Sequence, residues 1–217
     1  MKMKKNNRKN LCIAVAPLAA FALWTVAVRY VNVAPIGPRG STVGFASVNG
    51  FVHRLFGVHM SLYTITDWLG LVPVGVGMGF AVLGLVQWIR RKRIASVDYN
   101  ILVLGGFYIV VMAAYILFET IVVNYRPILM NGYLEASYPS STTLLVLCVM
   151  PTSIMQFHER IKNEILKRFI AMAIIAFMVF MVVGRLASGV HWLTDIVGGA
   201  LLSAGLVILY RLVSCLK

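Results

Sequence analysis

Long apolar runs alternate with short polar or basic segments along this chain, and the run length is the one a bilayer imposes, roughly 17 to 25 mostly apolar residues per crossing helix. Six runs qualify: 11–33, 63–89, 99–123, 140–157, 169–183 and 192–213. The fifth is short, and Leu186 to Val190 extend it. Ala34 to Leu62 is the longest connection on its side. It opens on the helix breakers Pro35, Gly37, Pro38 and Gly40, after which Val43, Phe45, Val48, Phe51, Val52, Leu55 and Phe56 recur at helical spacing. That recurrence predicts an amphipathic helix at the membrane interface, either a lid or lipid entrance or a cap packed over the span ends. The expected architecture is all-α, an integral membrane bundle of six transmembrane helices with an outer interfacial helix, forming a single domain over residues 1–217.

Composition removes the soluble alternative. The chain is 60% hydrophobic and 12% charged, with a mean hydropathy of +0.85, which leaves no polar shell for a water-soluble domain. The first run exceeds the roughly 7 to 15 apolar residues of a cleaved signal peptide and lacks a small-x-small cleavage site, so it reads as a retained anchor. The net charge of +13 sits in short clusters beside the spans: Lys2, Lys4, Lys5, Arg8 and Lys9; Arg90, Arg91, Lys92 and Arg93; Arg160, Lys162, Lys167 and Arg168; and Arg211 with Lys217. The opposite connections hold Arg39, Arg54, Arg126 and Arg185, with Arg29 near the outer end of the first span. The positive-inside rule then puts both termini in the cytoplasm of a multi-pass protein of the cell membrane, and size and topology suit a bacterial inner membrane. Without aromatic interleaving or a nucleic-acid-binding motif, the clusters speak for topology and anionic lipid headgroups and against nucleic acid.

Other features have plain structural readings. Gly70, Gly75, Gly77, Gly79 and Gly84 follow no strand, so they suit close helix packing better than a nucleotide loop. His53 and His59 lack a third ligand nearby, which argues against a metal, and Asp67 is expected to pair with an outer arginine. Cys12, Cys148 and Cys215 fall in or near spans without metal-ligand spacing and read as buried thiols or, for Cys215, a lipidation site.

Candidate chemistry gathers in three segments that alternating direction brings to one membrane face: Glu119 to Pro127, Tyr138 to Thr143, and Arg185 to Asp195. Pro139 before Ser140 starts a helix, and the first amides of Ser140, Ser141 and Thr142 form an anion cradle. Arg126 and Arg185 give paired hydrogen bonds to phosphate oxygens and stay charged. His191 and Asp195, four apart at the start of the last helix, share a face, so the carboxylate fixes the imidazole tautomer and leaves the other ring nitrogen as nucleophile. The reaction expected of such a set is in-line displacement at phosphorus, with no metal and no cofactor required.

These three segments resemble the signature of the type 2 phosphatidic acid phosphatases, lipid phosphate phosphatases related to vanadium haloperoxidases: K-x6-R-P, then P-S-G-H, then S-R-x5-H-x3-D. Arg126 and Pro127 match the first box, Pro139 and Ser140 the second, and Arg185, His191 and Asp195 the third, within a signature region of about 119–195. The resemblance implies a nucleophilic role for His191, an orienting role for Asp195, and phosphate binding by Arg126, Ser140 and Arg185. Four positions depart: Glu119 replaces the lysine, Ser141 the glycine, Thr142 the histidine and Gly184 the serine. The missing histidine is the family's general acid, and positioned acid catalysis is typically worth about 10² to 10⁴-fold. An alcohol leaving group bears that loss in full, whereas a diphosphate leaves as a stable anion. A membrane lipid phosphate or, preferably, a polyprenyl diphosphate such as undecaprenyl diphosphate is thus the expected substrate, its phosphate hydrolysed or transferred at the outer face through a phosphohistidine. Glu119 either serves as an auxiliary acid or pairs with Arg126. Two other classes compete: a catalytically impaired protein that binds lipid phosphate, and a small transporter built on the intramembrane charges.

Overall fold

The computed structural model describes residues 2–215 and is all-helical, with only isolated bridges such as Ala34 to Val43 and Tyr125 to Ala136 outside its helices. Eight α-helices follow in order: α1 Lys2–Tyr30, α2 Ala46–Phe56, α3 Met60–Leu69, α4 Leu71–Arg91, α5 Tyr99–Thr120, α6 Ser141–Arg160, α7 Glu164–Ala187 and α8 Leu193–Ser214. The side chains of Lys2, Lys4, Lys5, Arg8, Lys9 and Cys12, and all of Lys217, lie outside the described residues.

Four stretches among the described residues are long and apolar enough to cross a membrane: Met60–Arg91, which joins α3 to α4, then α5, α7 and α8. This is a multi-pass membrane protein. The other two expected spans, α1 and α6, are not among these four. The described apolar part of α1, Val15–Tyr30, is shorter. Helix α6 is long enough but polar in places, because it stands among α4, α5, α7 and α8 and buries Thr143, Thr152, Ser153 and Gln156 away from lipid. Gln156 donates to Tyr210 Oη at 2.6 Å, so its amide has a partner inside the bundle. Helix α7 gains length at its start, from Glu164, where Asn163 caps two amides, and it stops at Ala187 without extending to Val190.

Helix α8 is the second pillar. It packs along α1 and against α5 and α6. Small residues let the neighbours approach: a Cβ at Gly198 would fall 2.6 Å from the Tyr138 ring, and one at Gly199 3.1 Å from Thr143. The Tyr138 hydroxyl also meets Thr25 of α1, oxygen to oxygen at 2.7 Å. The second signature segment is thereby wedged between α1 and α8.

Helix α2 forms where the apolar spacing predicts it, but with its polar side inward. Asn49 is fully buried, while Val48, Phe51 and Leu55 are exposed. Its apolar face is directed away from the protein, as an interfacial helix requires.

Gly198→Val should overpack the Tyr138 contact and cost about 1–3 kcal/mol, lowering the thermal midpoint in detergent. Gly79→Ala, where an added Cβ meets nothing within 4 Å, should leave it unchanged or raise it. Equal midpoints for the wild type and Gly198→Val would contradict this packing.

Candidate active site

The third signature segment is a tight turn between α7 and α8. Ser188 closes α7 through its amide to Gly184 O at 2.8 Å, and Gly189 follows with a φ of +71°. A side chain at Gly189 is excluded twice, by that left-handed backbone and by Gly57 O, which a Cβ would approach to 1.9 Å. The turn continues through His191 and Trp192 into α8, whose first amides are held from two directions. Trp192 N donates to Asp195 Oδ2 at 2.9 Å, and Thr194 N donates to Asn49 Oδ1 of α2 at 3.2 Å. The Trp192 indole donates to Tyr125 O at 2.7 Å and so ties the third segment to the first.

His191 is 3% exposed and stands just before α8. Its Nε2 lies 3.4 Å from Arg126 Nη1 and 3.5 Å from Arg185 Nη2, and its Nδ1 lies 3.6 Å from Asp195 Oδ2. A guanidinium has only donors. The nitrogen facing two of them therefore presents its lone pair, and the ring proton belongs on Nδ1, toward the carboxylate. Burial, then the Arg126 and Arg185 charges, hold the imidazole well below its usual pKa of 6.5, against a weaker opposing contribution from the Ser137 backbone. At neutral pH it is an uncharged base with Nε2 directed at the arginines.

Each arginine is braced by an acid. Arg126 Nε lies 3.1 Å from Glu135 Oε2, off the N–H axis, and the Arg126 amide donates to Glu135 O at 3.0 Å. Arg185 is 1% exposed, 3.4 Å from Asp67 Oδ1, 3.5 Å from Thr66 Oγ1, with Tyr63 beneath it at 4.9 Å to the ring centroid. The expected Asp67 to outer-arginine pair is this one. Among the described residues, Arg126 pairs with Glu135 rather than with Glu119.

The expected anion cradle is altered. Ser140 is the N-cap of α6, its hydroxyl accepting from Thr143 Oγ1 at 3.1 Å, but its own amide donates to Asp195 O at 3.0 Å and is spent. The amides of Ser141 and Thr142 begin α6 without intrahelical acceptors. Glu119 and Ser141 line one small crevice with His191. Thr142 lies against the α3–α4 junction, 3.6 Å from where a Gly70 Cβ would stand. With Asp67 on Arg185 and Glu119 beside His191, the intramembrane acids gather at one end of the bundle and mark no path toward its midplane, which removes the main support for transport. No group of three potential metal ligands occurs among the described residues; His53 packs on Trp192, and His59 Nε2 meets Phe56 O at 2.8 Å.

Sequence reasoning missed Asn49, Trp192, Tyr63 and Thr66. Their partners are 3 to 145 residues away in the chain, and no local motif announces them.

Residues 121–214 match the family model of the PAP2 superfamily, the same superfamily that the three boxes resemble. The fold is that of the solved structure of a transmembrane PAP2-type phosphatidylglycerolphosphate phosphatase from Bacillus subtilis, with a TM-score of 0.52 at 17% identity over 92% of this chain and 94% of that one. No curated protein matches the sequence.

His191 should titrate below the usual histidine range in an NMR experiment, so its charge appears only as pH falls well under 6.5. The unfolded chain takes up that proton first, so the neutral imidazole's share of stability falls as pH drops below about 6.5. Arg126→Gln removes one repelling charge and should move the titration upward. A wild-type value at or above 6.5 would contradict the arrangement.

Proposed function

We propose that this membrane protein is a phosphatase that cleaves a lipid phosphate, preferentially a polyprenyl diphosphate, through a phosphohistidine at His191 on the outer membrane face. The observation that carries the reading is the convergence of two guanidinium groups on Nε2 of a buried neutral imidazole. Cations there attract the phosphoryl oxygens to within reach of the nucleophile and stabilise the charge they gain in the transition state.

His191 Nε2 attacks the terminal phosphorus in line, the P–N bond forms, and the bond to the bridging oxygen breaks with its electron pair leaving on the lipid phosphate. Asp195 then faces a cationic ring. Water attacks the same phosphorus, the P–N bond breaks, and its proton departs with the inorganic phosphate, restoring neutral His191. Arg126 and Arg185 bind the equatorial oxygens, with the amides of Ser141 and Thr142 beside them; Ser140 keeps the start of α6 in place.

The leaving group is chosen by what the site lacks. Thr142 is no acid at neutral pH, so an anhydride, which departs as a stable anion, is favoured over an ester of diacylglycerol. Glu119, exposed on the crevice shared with His191, is a candidate auxiliary acid whose help an anhydride does not require. In this reading α1 and α6 cross the bilayer with the four longer spans, making six crossings with both termini cytoplasmic, and the chain works as one domain.

Phosphate release from phosphatidic acid, phosphatidylglycerol phosphate and undecaprenyl diphosphate by purified protein tests the proposal. The diphosphate should be preferred, vanadate should inhibit as an analogue of the pentacoordinate transition state, and His191→Ala should abolish turnover in protein that remains folded. Undiminished release by that variant would remove the proposal; binding of lipid phosphate without release by the wild type would identify a lipid-binding protein instead. Thr142→His should raise monoester hydrolysis toward the 10² to 10⁴-fold range of acid catalysis and change diphosphate hydrolysis much less.

A further inference from the structure

A second feature lies in the halves of α4 and α5 remote from His191. A groove of about 440 Å³ runs between them, lined by Phe80, Leu85, Trp88, Ile101 and Leu104. It remains open because the helices are small-sided there: an added Cβ at Gly105 or Gly106 would meet nothing within 4 Å. On a membrane-spanning surface such a space is filled by hydrocarbon, because water gains no partners among apolar walls.

The headgroup end is defined by charge. Trp88 and Ile94 both line the groove, and Arg90, Arg91, Lys92 and Arg93 occupy the chain between them, all exposed. Arg91 is committed to Asp98, Nη1 to Oδ1 at 2.8 Å, and Asp98 is further held by Gln87 at 2.8 Å and by its own amide on Gln87 Oε1 at 2.9 Å. This network fixes the turn between α4 and α5 and neutralises one cation. Arg90, Lys92 and Arg93 form no ion pair among the described residues.

We propose that this groove is a binding site for one anionic phospholipid of the leaflet opposite the active site, its acyl chain between α4 and α5 and its phosphate against Arg90, Lys92 and Arg93. An apolar channel ending at uncompensated cations is complementary to that molecule and not to a zwitterionic one, whose headgroup adds a cation beside the cluster. The inference is independent of the reaction at His191.

Native mass spectrometry of the full chain, released from nanodiscs of equal phosphatidylglycerol and phosphatidylcholine, tests it. The wild type should retain phosphatidylglycerol selectively. The triple variant Arg90→Gln, Lys92→Gln, Arg93→Gln should lose about a hundredfold of that selectivity, at about 1 kcal/mol per basic residue. Gly106→Leu, which fills the groove and leaves the cluster intact, should lose the retained lipid while keeping its thermal midpoint. Equal retention of both lipids by the wild type, or unchanged selectivity in the triple variant, would overturn the site. If Gly106→Leu does not fold, the charge variant alone decides.

Discussion

Two positive charges held against one uncharged ring are the constraint around which the end of the bundle that carries His191 is organised. Arg126 and Arg185 repel each other and both disfavour protonation of His191. Burying a guanidinium as deeply as Arg185 costs several kcal/mol before compensation. Asp67, Thr66 and Tyr63 supply part of that compensation and Glu135 steadies Arg126, yet the Nε atoms of both arginines form no hydrogen bond. In the proposed function a phosphoryl group between the arginines completes the balance, and the site is preorganised for that anion at the expense of the protein's own stability.

Holding three segments to that geometry explains much of the surrounding architecture. The start of α8 is fastened to α2 by Asn49, to α1 by Trp24, whose indole donates to Thr194 O at 3.1 Å, and to the first segment by Trp192. Ser140 N on Asp195 O joins the second segment to the third. Most of these bonds run between side chain and backbone, so they position the segments without relying on exposed ion pairs, which contribute little.

The bundle was largely legible in the sequence because lipid writes its requirement as length and apolarity. Helices α5, α7 and α8 follow their runs to within a few residues, apart from the earlier start of α7. Where lipid is not the neighbour the rule weakens: α6 carries Thr143, Thr152, Ser153 and Gln156 because it faces other helices. At the site, Arg126, Arg185, His191 and Asp195 were legible through residue type and spacing, and the structure brings them together. The finer expectations failed where a nonlocal bond intervened. The Ser140 amide left the cradle because Asp195 O takes it, and His191 stands before α8 because Trp192 and Asp195 close its first turn. The departures at Glu119 and Thr142 were visible as substitutions, but their neighbours, the His191 crevice and the Gly70 junction, required the fold.

The proposed chemistry depends on a covalent bond between phosphorus and His191 Nε2. Rapid acid-free quenching of a single turnover with undecaprenyl diphosphate labelled on its terminal phosphate, followed by peptide mass spectrometry, looks for that bond directly. An acid-labile, alkali-stable phosphate on His191, formed and lost at rates compatible with turnover, is the predicted result. Phosphate release with no enzyme-bound label at any time, or label on another residue, would contradict a phosphohistidine route.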